Sequence, residues 1–415
     1  MKKIAAIVDL GHFFPALRYQ NFRYFWFGQC ISLVGTWMQV TALQWLVYTI
    51  TKSALLLGFL GVAQFGPIMI FSLFAGVFVD RHSKRNILIF TQVAAMIQAL
   101  ILSAFVLIGH VVYWEILLLA IFSGFVNTLD SPARQSFIHD LVDQSDMGSA
   151  IGLNMTIFNS ARIIGPALAA IFMAKFDSGL LFLINGLSFI PVIIFLFKIK
   201  VKGTVTNKVQ VKVFSEIMAG LRFIRRSPKM FSTILSVLAL GTFIMNYNVI
   251  IPIYSSDVLN QGVSGYGFLM SALGVGSLFG SLLIAIRGKS ETKMARLFAS
   301  ALVVSALFIL LNLIHSYMMA IVLLIIIGFL TLVFMSTANL TLQLNASDDY
   351  RGRVMSVYSF AFLGTTPIGN LVAGFITDRF GSGMGFLICG AITGMLIIVI
   401  AIGFYVNKHN EPSID

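Results

Sequence analysis

The chain has 415 residues, of which 58% are hydrophobic and only 11% charged, and its mean hydropathy is +0.93. That composition excludes a soluble domain and marks an integral membrane protein. The formal net charge of +12 does not point to nucleic acid, because the basic residues gather between apolar runs on one predicted side, as orientation signals do.

In chain order, Lys2 and Lys3 precede a short apolar run that Asp9, Gly11, His12 and Pro15 interrupt. No cleavable signal peptide is expected, and the first full span should direct insertion. Apolar runs of the ~20 residues needed to cross a bilayer begin near Tyr24, Ala54, Asn86, Tyr113, Met147 and Leu180. They resume near Met230, Val263, Lys293, Tyr317, Arg353 and Ser382. The expected fold is therefore an all-α integral membrane protein with twelve transmembrane helices. Residues 1–199 form an N-terminal six-helix bundle, 200–229 a cytoplasmic linker, and 230–415 a C-terminal six-helix bundle.

The predicted inner segments carry Arg81, Lys84, Arg85, Arg134, the cluster from Lys198 to Lys229, Arg287, Lys289, Lys293, Arg296, Arg351, Arg353 and Lys408. The predicted outer loops carry only Lys52, Lys175 and Arg379. This asymmetry places both termini in the cytoplasm. Within the linker, which contains Gly203, Thr204, Thr206 and Asn207, a helical face is formed by Phe214, Ile217, Met218, Leu221 and Ile224. It reads as an amphipathic helix on the inner leaflet.

The halves look like repeats. The run Gly165 to Gly179 lies without gaps on Gly369 to Gly383, with small residues, one basic residue and Ser-Gly in register. The fifth and eleventh spans are thus equivalents, six helices apart.

Between the second and third spans stands a dense charged stretch, Gly76 to Arg85. Asp80 ends its helix, where a carboxylate opposes the helix dipole and needs a partner. Asp130, just before Ser131-Pro132, repeats that placement. The two acids suggest a network with Arg81, Lys84, Arg85 and Arg134; the alternative for Asp130 is a turn residue before Pro132. Arg162 lies ~22 Å along the fifth span at ~1.5 Å per residue. It either pairs with Glu115 at a similar height or attracts anions in a cavity.

Polar residues recur along faces of certain spans: Gln29, Ser32, Thr36 and Gln39 in the first, Asn127 in the fourth, Asn246 and Asn248 in the seventh, Asn339 and Gln343 in the tenth. They are helix–helix hydrogen bonders or ligand contacts. No span has a carboxylate at its centre, which leaves Glu115 and Asp130 as candidates for proton coupling. Cys30 and Cys389 lie within spans, so neither a disulfide nor a thiolate metal site is expected.

Gly-x-x-x-Asp-Arg-x-x-Lys-Arg, read as Gly76, Asp80, Arg81, Lys84 and Arg85, resembles the signature loop of the major facilitator superfamily, with Ser83 where a glycine is usual. Arg162-Ile-Ile-Gly165-Pro166 is similar to the fifth-helix motif of its antiporters, with Ala169 and Ala170 replacing the usual glycine pair. Asn21 to Gln29, Gly35 to Gln39, Trp45 to Tyr48, Pro132 to Gln135 and Arg351 to Ser356 resemble the bacterial branch that holds enterobactin exporters and macrolide efflux proteins. The resemblance runs from about Leu17 to Tyr405. It implies a conformational latch at the signature loop with Asp130 and Arg134, a helix bend at Gly165 and Pro166, and a cavity lined by the polar residues named above.

The function so implied is secondary export of small amphipathic molecules, a siderophore or a drug such as a macrolide, by proton antiport with alternating access. A lipid flippase or scramblase, or a non-energised membrane protein, is the alternative. Neither metal cluster, phosphate loop nor nucleophile–base arrangement is present, so no enzyme activity, cofactor or metal is expected. The expected partners are a small-molecule substrate and the lipid bilayer, with no nucleic acid and no ATP. The expected state is a monomer, by analogy, in the bacterial cytoplasmic membrane.

Overall fold

The computed structural model describes residues 14–201, 203, 213–287 and 293–410. Lys2, Lys3, Asp9, Gly11, His12, Thr204, Thr206, Asn207 and Lys289 lie outside the described residues. A chain this apolar must satisfy its backbone polar groups within each segment once it leaves water, and helices do so. Among the described residues there is accordingly no strand.

The helices are α1 (Gln20–Thr51), α2 (Ala54–Arg81), α3 (Lys84–Ile108), α4 (Tyr113–Leu141), α5 (Met147–Met173) and α6 (Ser178–Lys198). After the linker come α7 (Val213–Arg225), α8 (Pro228–Phe243), α9 (Tyr247–Ile253), α10 (Gly262–Arg287), α11 (Met294–Leu311), α12 (Tyr317–Asn345), α13 (Asp348–Leu363) and α14 (Thr366–Asn410). Among the described residues eleven stretches are long and apolar enough to cross a membrane, and the last of them spans 59 residues. At ~1.5 Å per residue that is far longer than a ~30 Å hydrocarbon core. Gly381 breaks it, with φ 83° and ψ 165°, a conformation open to a residue without a Cβ. Two crossings result, and the twelfth begins at Ser382 as the sequence predicts.

Three spans depart from the simple reading. The fourth runs as one helix through Pro132 to Leu141. The seventh is interrupted: a turn at residues 244–246 separates α8 from α9, and a π-helical segment, Tyr254–Val258, follows. The eleventh is interrupted at Gly364 and Thr365.

Packing divides the chain into two compact units, Met1–Leu46 with Ile70–Val209, and Val47–Met69 with Gln210–Asp415. In the first, Phe22 and Phe25 of α1, Phe137 and Leu141 of α4, and Val192 and Leu196 of α6 form one buried cluster. Phe25 meets Phe137 edge to face at 5.8 Å.

In the second unit the surface helix α7 lies on α13. Phe223 stacks on Tyr350 at 4.5 Å, and a Cβ on Gly220 would stand 2.9 Å from the Arg353 carbonyl oxygen. The repeat is visible in how each unit packs. Gly165 of the fifth span abuts Trp37 and Met38 of the first, and Gly369 of the eleventh abuts Thr242 and Asn246 of the seventh.

Without a hydrophobic force between helices in lipid, close approach rests on small residues. A Cβ on Gly276 of α10 would meet the α12 backbone, with Phe329 N at 2.8 Å. Gly276→Leu is therefore expected to destabilise the second unit by about 1–3 kcal/mol or more, the cost of overpacking. Gly76→Leu, whose Cβ meets nothing within 4 Å, should leave stability unchanged. Thermal unfolding of the two variants in one detergent compares them directly.

Candidate functional site

The acid that matters most in the first unit is Asp130, 6% exposed. It lies 11 residues, ~16 Å at 1.5 Å per residue, before the end of α4 rather than at it. The expectation of an acid opposing its own helix dipole is thus corrected: continuous packing of α4 carries the helix past Pro132. One carboxylate oxygen accepts from Thr91 Oγ1 (2.7 Å) and Gln92 Nε2 (2.8 Å) of α3. The other accepts from Arg134 Nε at 3.0 Å and from Arg134 Nη2, one helical turn away. Arg134 Nη1, Gln92 Oε1 and both amide atoms of Gln29 are buried without a partner. Each such unsatisfied polar atom is unusual in a packed interior.

The other members of the signature loop are dispersed. Lys84 donates to Asp140 at 2.7 Å, both side chains being largely buried. Arg85 donates through Nε to the Leu196 carbonyl (2.7 Å) and through Nη2 to that of Phe197 (2.9 Å), at the C-terminal end of α6. A guanidinium there satisfies orphan carbonyls and faces the negative end of the dipole. Asp80 and Arg81 are exposed and, among the described residues, form no ion pair. Of the expected network, therefore, only Arg134 reaches Asp130. Lys84 sits two turns nearer the basic end than Thr91, so it meets Asp140, an acid absent from the sequence-based candidates.

Glu115 and Arg162 are not paired. Glu115 stands in the first turn of α4 and accepts from the Val112 backbone N–H at 3.2 Å, an N-terminal cap. Arg162 lies near the middle of the 27-residue α5, not toward its outer end, so the two differ in depth. Its guanidinium is 5.9 Å from the Trp37 ring, a cation–π distance.

Gln39 belongs to an amide chain joining three helices. Asn185 Nδ2 donates to Gln39 Oε1 at 2.7 Å, and Gln39 Nε2 donates to Gln98 Oε1 at 3.2 Å. Thr36 donates to the Ser32 carbonyl at 2.9 Å, Ser32 itself being buried. Asn127 Nδ2 reaches Ser123 Oγ at 3.4 Å on an exposed face. Gly165 packs on α1, and Pro166 is carried inside a continuous α5.

In the second unit Asn246 lies in the break of the seventh span. Its Nδ2 donates to the carbonyls of Gly241 (3.2 Å) and Thr242 (2.6 Å), closing the end of α8. Asn246 Oδ1 and Asn248 Oδ1 are buried without a partner. The eleventh span is interrupted where it packs on this break: a Cβ on Gly241 would lie 2.8 Å from Thr365 Oγ1. Irregular backbone at membrane depth is tolerated where it is buried in protein or lines a cavity. Gln343 Nε2 donates to Asn339 Oδ1 at 2.6 Å along α12.

A second set of acids lies outside the sequence-based candidates. Tyr48 OH donates to Asp257 Oδ1 at 2.5 Å. Ser53 Oγ (2.7 Å) and Leu55 N (3.2 Å) both donate to Asp378 Oδ1. Lys52, at φ 51°, makes the turn between α1 and α2 and lies over the Tyr48 ring at 4.9 Å. The Val47–Met69 hairpin is thereby tied to its own unit by two carboxylates, one of which sits at the N-terminus of α2, where negative charge is favoured. One signal was available: in the gapless repeat alignment Asp378 falls opposite Ala174, an acid that only one half carries.

Ahead of α1, Tyr19 OH donates to Asp143 Oδ2 (2.9 Å) and Asp146 Oδ2 (3.0 Å). The bond to Asp143, followed by desolvation and the bond to Asp146, pushes the phenol from 10.0 up to about 12. The phenol must keep its proton to donate. This tie is therefore complete below the ordinary pKa of 10.0 and lost as pH rises through about 12. Ultraviolet titration should show one fewer late-titrating tyrosine in Asp143→Asn than in the parent chain, as Tyr19 moves back toward its ordinary value.

The profile of a family described as transmembrane secretion effector matches residues 11–414. The staphyloferrin A transporter of Staphylococcus aureus (strain NCTC 8325 / PS 47) is 23% identical over 399 residues, covering 95% of this chain and 98% of the relative. Macrolide efflux protein A of Streptococcus pyogenes is 23% identical over 388 residues, covering 91% and 93%. The crystal structure of the nucleoside transporter NupG aligns over 93% of this chain and 99% of its own with a TM-score of 0.75, at 10% identity, which shows a common fold. With its spans, its internal repeat and a profile match over nearly its whole length, the chain belongs to the transmembrane secretion effector family of major facilitator transporters.

Proposed function

We propose that this transporter exports a small amphipathic molecule, of the siderophore or macrolide kind, by proton antiport with alternating access. The observation that carries the coupling is Asp130, a carboxylate well inside a span, ringed by Thr91, Gln92 and Arg134. Protonation would remove the charge that holds Arg134 and loosen the junction of α3 with α4, a local change with two packing outcomes. Glu115, engaged as a cap, falls away as the coupling group. Lys84 and Arg85 anchor the signature loop, while exposed Asp80 and Arg81 form its free tip. Asn246, Asn248 and the broken backbone of the seventh and eleventh spans are the second unit's contacts to the cargo. The distribution of basic residues supports a cytoplasmic-membrane location with both ends inside.

The cargo class rests on the end-to-end likeness to a staphyloferrin A transporter and a macrolide efflux protein. The test is uptake of siderophores, macrolides and dyes into everted vesicles from an efflux-deficient host, with and without a proton ionophore. Uptake should need no ATP, stop with the ionophore and fail in Asp130→Asn. Movement that persists after the gradient collapses would replace this reading with a flippase or scramblase.

A further inference from the structure

At the basic end of the first unit, where α1 begins and α6 ends, there is a cavity of about 480 Å³. Tyr19, Asn21, Tyr24, Leu141, Lys198 and Lys200 bound it. Two lysines and two tyrosines therefore line one concavity. The N–H groups of the first turn of α1 have no intrahelical acceptor and add positive potential there. The neighbouring acids do not line the cavity, and Asp143 and Asp146 are each engaged by the Tyr19 hydroxyl. Lys198 is held with its Nζ 5.9 Å from the Phe195 ring, and Phe195 stacks on Tyr24 at 5.6 Å.

An apolar lane leads away from that cationic end. On α1, Tyr24, Phe27 and Ile31 recur at helical spacing on one face, with Phe27 and Ile31 more than half exposed. The α1 face is set beside the cationic end of α6 by the close approach of the two helices at Gly28, whose Cβ would lie 3.1 Å from Val192 Cα.

We infer that this cavity and lane form a binding site for an anionic phospholipid, its phosphate between Lys198 and Lys200 and an acyl chain along Phe27 and Ile31. A soluble anion would use the cationic end alone; only an amphiphile uses both parts.

The test is native mass spectrometry of the full chain in detergent, titrated with phosphatidylglycerol or with phosphatidylcholine of the same chains. Phosphatidylglycerol should bind more tightly, and Lys198→Gln with Lys200→Gln should weaken it by about thirtyfold, roughly fivefold per lysine, without affecting phosphatidylcholine. Lys198→Arg with Lys200→Arg should keep the preference, which separates charge from folding. Millimolar inorganic phosphate should not displace the lipid. Equal binding of phosphatidylglycerol by the glutamine variant would overturn the inference, as would full displacement by phosphate, which would make this a free-anion site.

Discussion

Asp130→Ala is expected to destabilise the first unit by about 3–5 kcal/mol, because it leaves the Arg134 guanidinium buried without its counter-charge. Thr91 Oγ1 and Gln92 Nε2 lose this acceptor along with Arg134 Nε and Nη2, so one substitution removes the acceptor of four donor atoms. Arg134→Met alone should be damaging for the mirror reason. The double variant, Asp130→Ala with Arg134→Met, should recover much of the loss, since an apolar pair of similar volume often replaces a buried ion pair without penalty. Thermal unfolding of the single and double variants gives the coupling energy directly. Strictly additive losses would show that the two side chains do not act as a unit, and the proposed proton switch would lose its basis.

The second large effect is expected at the hairpin. Tyr48→Phe removes one bond to a carboxylate and Asp378→Ala removes two. A hydrogen bond to a charged group is worth about 1.5–3 kcal/mol, so Tyr48→Phe should reduce the protection of the Val47–Met69 amides roughly 10- to 150-fold. Hydrogen exchange read by mass spectrometry over residues 47–57 reports this, because Lys52 N, Leu57 N and Leu55 N are the donors that hold the turn. Export should slow in the same variants if seating of the hairpin is a step of the cycle. Unchanged exchange in Tyr48→Phe with Asp378→Ala would mean that packing at Gly58 and Gly61 against Asn370, and not the acids, holds the segment.

These expectations rest on features of different legibility. The hydrophobic length of each span is a local property, so the sequence by itself determined twelve crossings, the location of the seam before Ser382 and the relation of Gly165 to Gly369. It also marked Asp130 and Arg134 as members of one network, with Asp130 at the end of its helix; that the two share a helical face came from the continuation of α4 past Pro132. The partners of the remaining charges were decided by tertiary structure. In a membrane a polar side chain takes the partner at its own depth, and depth follows from where each helix truly starts and ends. Because α4 continues past Pro132, Asp130 sits two turns deeper than Lys84, which turns to Asp140 instead. Because α5 is long and Glu115 caps α4, Arg162 rests on Trp37. Asp257 and Asp378 meet residues 209 and 325 positions away, a distance across which no periodicity carries information. Composition and repetition selected the fold; the rotation and depth of packed helices selected which acid holds which base.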